Sequence, residues 1–169
     1  MPQWPTSSVP SRPEAPMSAV EQRLAELGLI VPEVVPPVAA YQPAVIVDNV
    51  VYVSGQLPLV NGELALTGKV GAEVSPEQAY DLARICGLNL VAALKHAIGD
   101  LDRITRIAKV GGFVASTPDF TGQPKVINGA SELLGEAFGE AGQHARSAVG
   151  VPVLPLDTPV EVDLIAHFS

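Results

Sequence analysis

The chain has 169 residues, 47% hydrophobic and 17% charged, enough apolar material for one domain with a full core. Ten Lys and Arg against eighteen Asp and Glu give a net charge of −8, which argues against nucleic acid, whose binding rests on basic residues that neutralise phosphates. A single cysteine, Cys86, excludes an intramolecular disulfide framework and a multi-cysteine zinc site, and no run approaches the ~20 apolar residues of a membrane span.

Residues 1–16 carry Pro2, Pro5, Pro10, Pro13 and Pro16 with serines between them. That composition builds no periodic apolar face, so a disordered tail is expected there. Residues 17–40 read as an N-terminal helix and an extended linker. Ser18 followed by Glu21 is a capping-box pattern, Leu24 and Leu27 supply an apolar side, and Gly28 is placed to end the helix. Pro32, Pro36 and Pro37 then impose an extended path. Met17 is an alternative start, and without a secretory signal pattern the expected location is the cytoplasm.

The third unit, 41–169, reads as strands and helices in alternation. Ala44–Val47 and Val50–Ser54 flank Asp48-Asn49 as a hairpin, and Asn61-Gly62 marks a second tight turn. Ser75-Pro76-Glu77-Gln78 opens a long helix whose buried face is Ala79, Leu82, Cys86, Leu90, Ala93 and Ala97, ending at Gly99. Ile104–Ala115 reads as a strand, bulged at Gly111-Gly112. Residues 124–141 form a second helix with Val126, Leu133, Leu134, Ala137 and Phe138 inward. Strands at 149–153 and 160–168 complete a mixed sheet. Helices on one face of such a sheet make the fold α+β. The hairpin and the last strand offer more apolar positions than one helical layer covers, which points to a partner copy.

Chemistry concentrates near the C-terminus. Arg146 lies between small residues at the mouth of a strand, and Glu161 follows fifteen positions later. A guanidinium grips a carboxylate through two parallel hydrogen bonds, and a carboxylate can hold a water. The same two residues could instead pair with each other as a surface ion pair. His96, His144 and His167 lack ligand spacing, so no metal site is expected. Cys86, inside the helical pattern, reads as a packed core thiol. No phosphate-cradling loop and no nucleophile elbow is present.

Several motifs together resemble the reactive-intermediate deaminases, the Rid or YjgF-like family. They are Val53-Ser54-Gly55-Gln56-Leu57-Pro58, Ala145-Arg146-Ser147, Leu154-Pro155 and Val160-Glu161-Val162-Asp163, with Tyr41 thirteen residues before Ser54. The resemblance covers residues 41 to 168. It implies a chorismate-mutase-like α+β fold, a trimeric barrel-like assembly, and sites between subunits. It further implies cofactor-free hydrolysis of 2-imino or 2-enamino acids to 2-oxo acids and ammonia. Arg146 would clamp the substrate carboxylate and Glu161 would orient or activate the water. Tyr41, Ser54, Gly55, Ala148 and Asn128 would line the pocket, with no metal or organic cofactor. The chain departs from the family pattern where His144 replaces Pro, Ala148 replaces Cys and Gly150 replaces an acidic residue. A small-molecule binding or regulatory trimer without turnover is the alternative function. An endoribonuclease fits less well with the acidic charge.

Overall fold

The computed structural model describes residues 16–34, 37 and 40–169. The expected tail, including Trp4, lies outside the described residues except for Pro16. Helix α1 spans Ala19–Glu26, with a complete capping box between Ser18 and Glu21. The Asp102 carboxylate also accepts from the backbone N–H groups of Ala19 (2.9 Å) and Val20 (3.2 Å). These are donors that a helix start leaves without intrahelical partners, so a side chain from elsewhere in the chain caps α1. Val20 and Leu24 are buried, while Leu27 is exposed. The expected Leu24/Leu27 face is therefore a Val20/Leu24 face. Leu27 falls beyond the last turn, in the cap itself, and so rotates off the stripe.

The hairpin forms as read, from β1 (Ala44–Val47) and β2 (Val50–Gln56), with Asp48 at positive φ in the turn. A short ribbon follows, β3 (Leu59–Val60) and β4 (Glu63–Leu64), turning at Asn61-Gly62. Helix α2 (Pro76–Ile98) starts at a Ser75/Gln78 capping box and ends at Gly99. Strand β5 is Ile104–Ala115, α3 is Gln123–Phe138, β6 is Ala145–Val151 and β7 is Val160–Phe168. Two boundaries differ from the sequence reading by three residues or more. Helix α3 stops at Phe138, where Gly139 turns to positive φ and a 3-10 turn takes over. Strand β6 begins four residues earlier than expected, so Arg146 is its second residue and not a loop residue at its mouth.

The main sheet has the order β1-β2-β7-β5-β6. Strand β7 runs antiparallel to both β2 and β5, and β6 runs parallel to β5. Two strand–helix–strand units result, β2-α2-β5 and β5-α3-β6, with β7 inserted between the strands of the first. Residues of β7 alternate. Val160, Val162, Leu164 and Ala166 are buried on the helical side, beneath α2, whereas Glu161, Asp163, Ile165 and His167 line the opposite face. The architecture is α+β, and among the described residues the helical layer covers one face. Helix α1 packs on α3 and on the turn at Leu101–Arg103.

The expected bulge at Gly111-Gly112 is absent. Both residues keep regular partners, Asp163 and Val162, and the register shifts fall earlier, around Arg106 and between Ile107 and Lys109. A further irregularity lies in β2 between Val53 and Gln56, at Ser54-Gly55. Helices α2 and α3 approach closely at Gly129, where any Cβ would strike the Tyr80 carbonyl oxygen of α2. Cys86 is fully buried among Leu82, Leu90 and the rest of the core, with its Sγ 3.9 Å from the Val160 carbonyl. Among the expected inward positions of α2, only Ala97 is partly exposed. On α3, Ile127 and Ala130 join the expected core residues.

Candidate functional site

Arg146 pairs with Val110 across β5, and Val110 pairs with Leu164 across β7. Laterally paired residues share a face. The Arg146 side chain therefore leaves β6, an edge strand, on the helical side and meets the first turns of α3. Its Nη1 donates to Asn128 Oδ1 (2.8 Å) and to Ser131 Oγ (3.1 Å), and its Nη2 donates to the Pro124 carbonyl (3.2 Å). Asn128 and Ser131 stand three apart on α3, so one helix face supplies both Nη1 partners. A guanidinium carries five N–H donors. After these three bonds, Nε–H and one Nη2–H have no protein acceptor among the described residues. Two donors on one planar group are what a carboxylate accepts side by side.

His144 stands behind this arrangement. Its Nε2 is 2.9 Å from Ser131 Oγ and its Nδ1 is 2.7 Å from the Gly142 carbonyl. Ala148 follows Arg146 on the same face of β6, paired with Gly112 and packed against the core.

Glu161 belongs to the other face. It pairs with Phe113, which pairs with Val149, and the three side chains are half-buried or exposed on the side without helices. A Cβ at position 55 would overlap Glu161 Oε1, so glycine at the β2 irregularity lets the carboxylate lie against the backbone. Burial raises the Glu161 carboxyl above the usual range, and the charge of Asp163, two residues on, raises it further. Burial also raises Asp163, while the Gly111 backbone and Lys109 pull it back. Lys109 reaches Ser147 Oγ (3.2 Å) on this face.

Ser54 Oγ donates to the Gln42 carbonyl (2.6 Å), and the Ser54 N–H donates to the Pro43 carbonyl (2.9 Å). These bonds tie the segment that carries the exposed Tyr41 to the Ser-Gly step beside Glu161. The candidate residues thus fall into two groups within one chain. Arg146, Asn128 and Ala148 are on the helical side at the β6 edge, and Glu161, Gly55, Ser54 and Tyr41 are on or near the open side toward β1. Arg146 and Glu161 do not form an ion pair, and the three ion pairs among the described residues are Lys69–Asp157, Arg84–Glu136 and Lys95–Glu21.

Ser131 and Asp163 were missed in the sequence. The signals existed, since Ser131 follows Asn128 by three on a helix and Asp163 follows Glu161 by two on a strand, but neither residue type is specific enough to select itself. Among the described residues, no group of three His, Cys, Asp or Glu is placed to hold a metal, and no helix is long and apolar enough to cross a membrane.

Comparisons with known proteins agree on one family. The family model described as "YjgF/chorismate mutase-like, putative endoribonuclease" matches residues 21–168. Protein TCP17 of Trypanosoma cruzi is 40% identical over 89% of this chain and 94% of its own. The crystal structure of protein Atu1372 of Agrobacterium tumefaciens, of unknown function, superposes with a TM-score of 0.84. It is 45% identical over 89% of this chain and 93% of that one. The YjgF gene product of E. coli has a TM-score of 0.57 at 27% identity, covering 80% and 93% of the two chains.

Proposed function

From the premise that this chain belongs to the YjgF/chorismate-mutase-like family, we propose that it hydrolyses 2-imino or 2-enamino acids to 2-oxo acids and ammonia without a cofactor. The observation that carries the reading is Arg146, oriented by Asn128, Ser131 and Pro124 with two N–H donors left over. An imine carbon is already electrophilic. A site that fixes the substrate's charge and positions a water supplies most of the remaining help through proximity and preorganised dipoles. In the proposed reaction Arg146 clamps the carboxylate. Glu161 accepts a proton as water adds to the imine carbon and passes it on to the nitrogen. The carbinolamine then gives its hydroxyl proton to the nitrogen as well, the C–N bond breaks, the C=O of the 2-oxo acid forms and ammonia leaves. A carboxyl held above its usual range is the better base for that step.

Arg146 and Glu161 occupy opposite faces of one sheet, so the reading requires that separate copies complete each site. We propose a homotrimer with sites between subunits. The open face exposes Val45 (50%), Val47 (54%), Tyr52 (46%) and Val149 (46%). At ~25 cal/mol per Å2 of apolar surface, covering such a face stabilises an assembly by several kcal/mol. Light scattering at micromolar concentration should give three times the chain mass, and a single-chain mass would refute the assembly. We place the protein in the cytoplasm, with a small carboxylate substrate and no nucleic acid as partner. The deciding assay follows freshly generated 2-iminopropanoate with and without protein. Faster loss of the imine than in buffer supports the deaminase. Pyruvate binding without faster loss supports the second reading, a binding trimer, which the placement of Arg146 and Glu161 on opposite faces of the sheet within one chain favours.

A further inference from the structure

We infer that His144 is a positioning residue for Arg146, acting through the Ser131 hydroxyl; the functional importance of this rests on Arg146 being the carboxylate clamp. The direction of each hydrogen bond follows from the chemistry of its ends. The Gly142 carbonyl, 2.7 Å from His144 Nδ1, can only accept, so Nδ1 carries the proton. In the neutral ring Nε2 is then a bare acceptor, and Ser131 Oγ, 2.9 Å away, donates its only hydrogen there. The oxygen of that hydroxyl is left to offer a lone pair to Arg146 Nη1 at 3.1 Å. Asn128 Oδ1 takes the other Nη1 hydrogen. The order is Arg146 to Ser131 to His144 to the Gly142 carbonyl, with one donor and one acceptor at every step.

Without His144 the Ser131 hydroxyl is a free rotor. It can point its hydrogen at solvent or at the guanidinium, and in the second case it repels the group it now holds. With His144 in place both Nη1 hydrogens are engaged and the plane of the guanidinium is set. The directions of Nε–H and the remaining Nη2–H, the two donors facing a ligand, are set with it. The lock is compact, since His144 stands two residues before Arg146 on the approach to β6 and Ser131 lies on the helix that Arg146 crosses. Neither His144 nor Ser131 touches the ligand in this scheme.

The test compares wild type, Ser131→Ala, His144→Ala and the double variant at about pH 8, where an imidazole is ordinarily neutral. Two readouts are taken on the full chain, the 15N order of the Arg146 Nε–H without ligand and the Kd for pyruvate. Each single variant should loosen Nε–H and weaken pyruvate binding about three- to tenfold, the range of one neutral hydrogen bond. The double variant should be no worse than either single, because the relay is cut once. Ser131→Thr keeps the hydroxyl and should stay near wild type, which separates loss of the relay from loss of folding. Additive effects in the double variant, or His144→Ala with wild-type Nε–H order and Kd, overturn the inference. Wild type that fails to bind pyruvate while Arg146 order still depends on Ser131 and His144 keeps the relay and removes the carboxylate reading instead.

Discussion

Replacing Arg146 by lysine keeps the positive charge and removes the planar fork, so it separates geometry from charge. Arginine spends three N–H donors on Asn128, Ser131 and Pro124 and keeps two for a ligand. A lysine ammonium has three donors on one atom and cannot reach the α3 acceptors while presenting two parallel bonds to a carboxylate. The ligand side loses at least one charge-assisted bond and the orientation of the other. That amounts to about 2–4 kcal/mol, roughly thirty- to a thousandfold in affinity. The protein side loses less. Asn128, Ser131 and Arg146 are only half-buried, so water replaces the broken bonds, at a cost of about 1 kcal/mol and a few degrees in Tm. Titrating pyruvate or 2-oxobutanoate into wild type and Arg146→Lys, with parallel melts, reads both terms. A variant that binds as tightly as wild type while melting earlier would show that the arginine is structural and that no clamp exists.

Glu161→Gln should bind pyruvate as wild type does and slow imine hydrolysis, because an amide accepts no proton from water. Its stability effect has a defined sign. The folded carboxyl titrates above its unfolded value, so the folded chain holds this proton more tightly, and the stability from this group is full at low pH and declines as pH rises through the raised value. Melts from pH 4 to 8 should show the variant's Tm advantage at neutral pH shrinking as the solution is acidified, and an advantage that grows instead would contradict the assignment. Gly55→Ala should displace only the end of the Glu161 side chain, slowing hydrolysis with the fold intact by circular dichroism. Gly129→Ala sets a Cβ against backbone, not a flexible tip, and should cost about 1–3 kcal/mol or more in a urea titration. Asp102→Ala removes the cap on Ala19 and Val20 and should cost about 0.5–2 kcal/mol, with faster hydrogen exchange confined to α1.

The elements governed by local rules were legible in the residues. The capping box at Ser18, the Ser75-Pro76 helix start, the Asp48-Asn49 turn and the apolar face of α2 depend on neighbours within a few positions, and their reading survives in the structure. The failures share one cause, dependence on distant partners. Strand β6 extends back through Arg146 because β5 offers Lys109 and Val110 as pairing partners, which nothing near His144 announces. Glycine in a strand suggested a bulge at Gly111-Gly112, yet the β2 irregularity is at Ser54-Gly55, where the Glu161 carboxylate lies. The motifs singled out Arg146 and Glu161 as a pair, whereas the sheet's alternation sends them to opposite faces. The Ser131–His144 connection was invisible because it requires knowing how α3 crosses β6.

The sealed position of Cys86 makes the chain its own stability reporter. Burial raises its thiol well above the ordinary range, with the charge of Glu161 adding to the effect, and no solvent reaches the sulfur. A thiol reagent can react only after the layer between α2 and β7 parts. The labelling rate under native conditions, followed by mass spectrometry at one added mass per chain, then counts openings of the core without a dye, a tag or a substitution. Comparing that rate across dilutions also tests the proposed trimer, since a rate that rises on dilution means that separation of copies precedes opening and a constant rate means that the core opens within one chain alone.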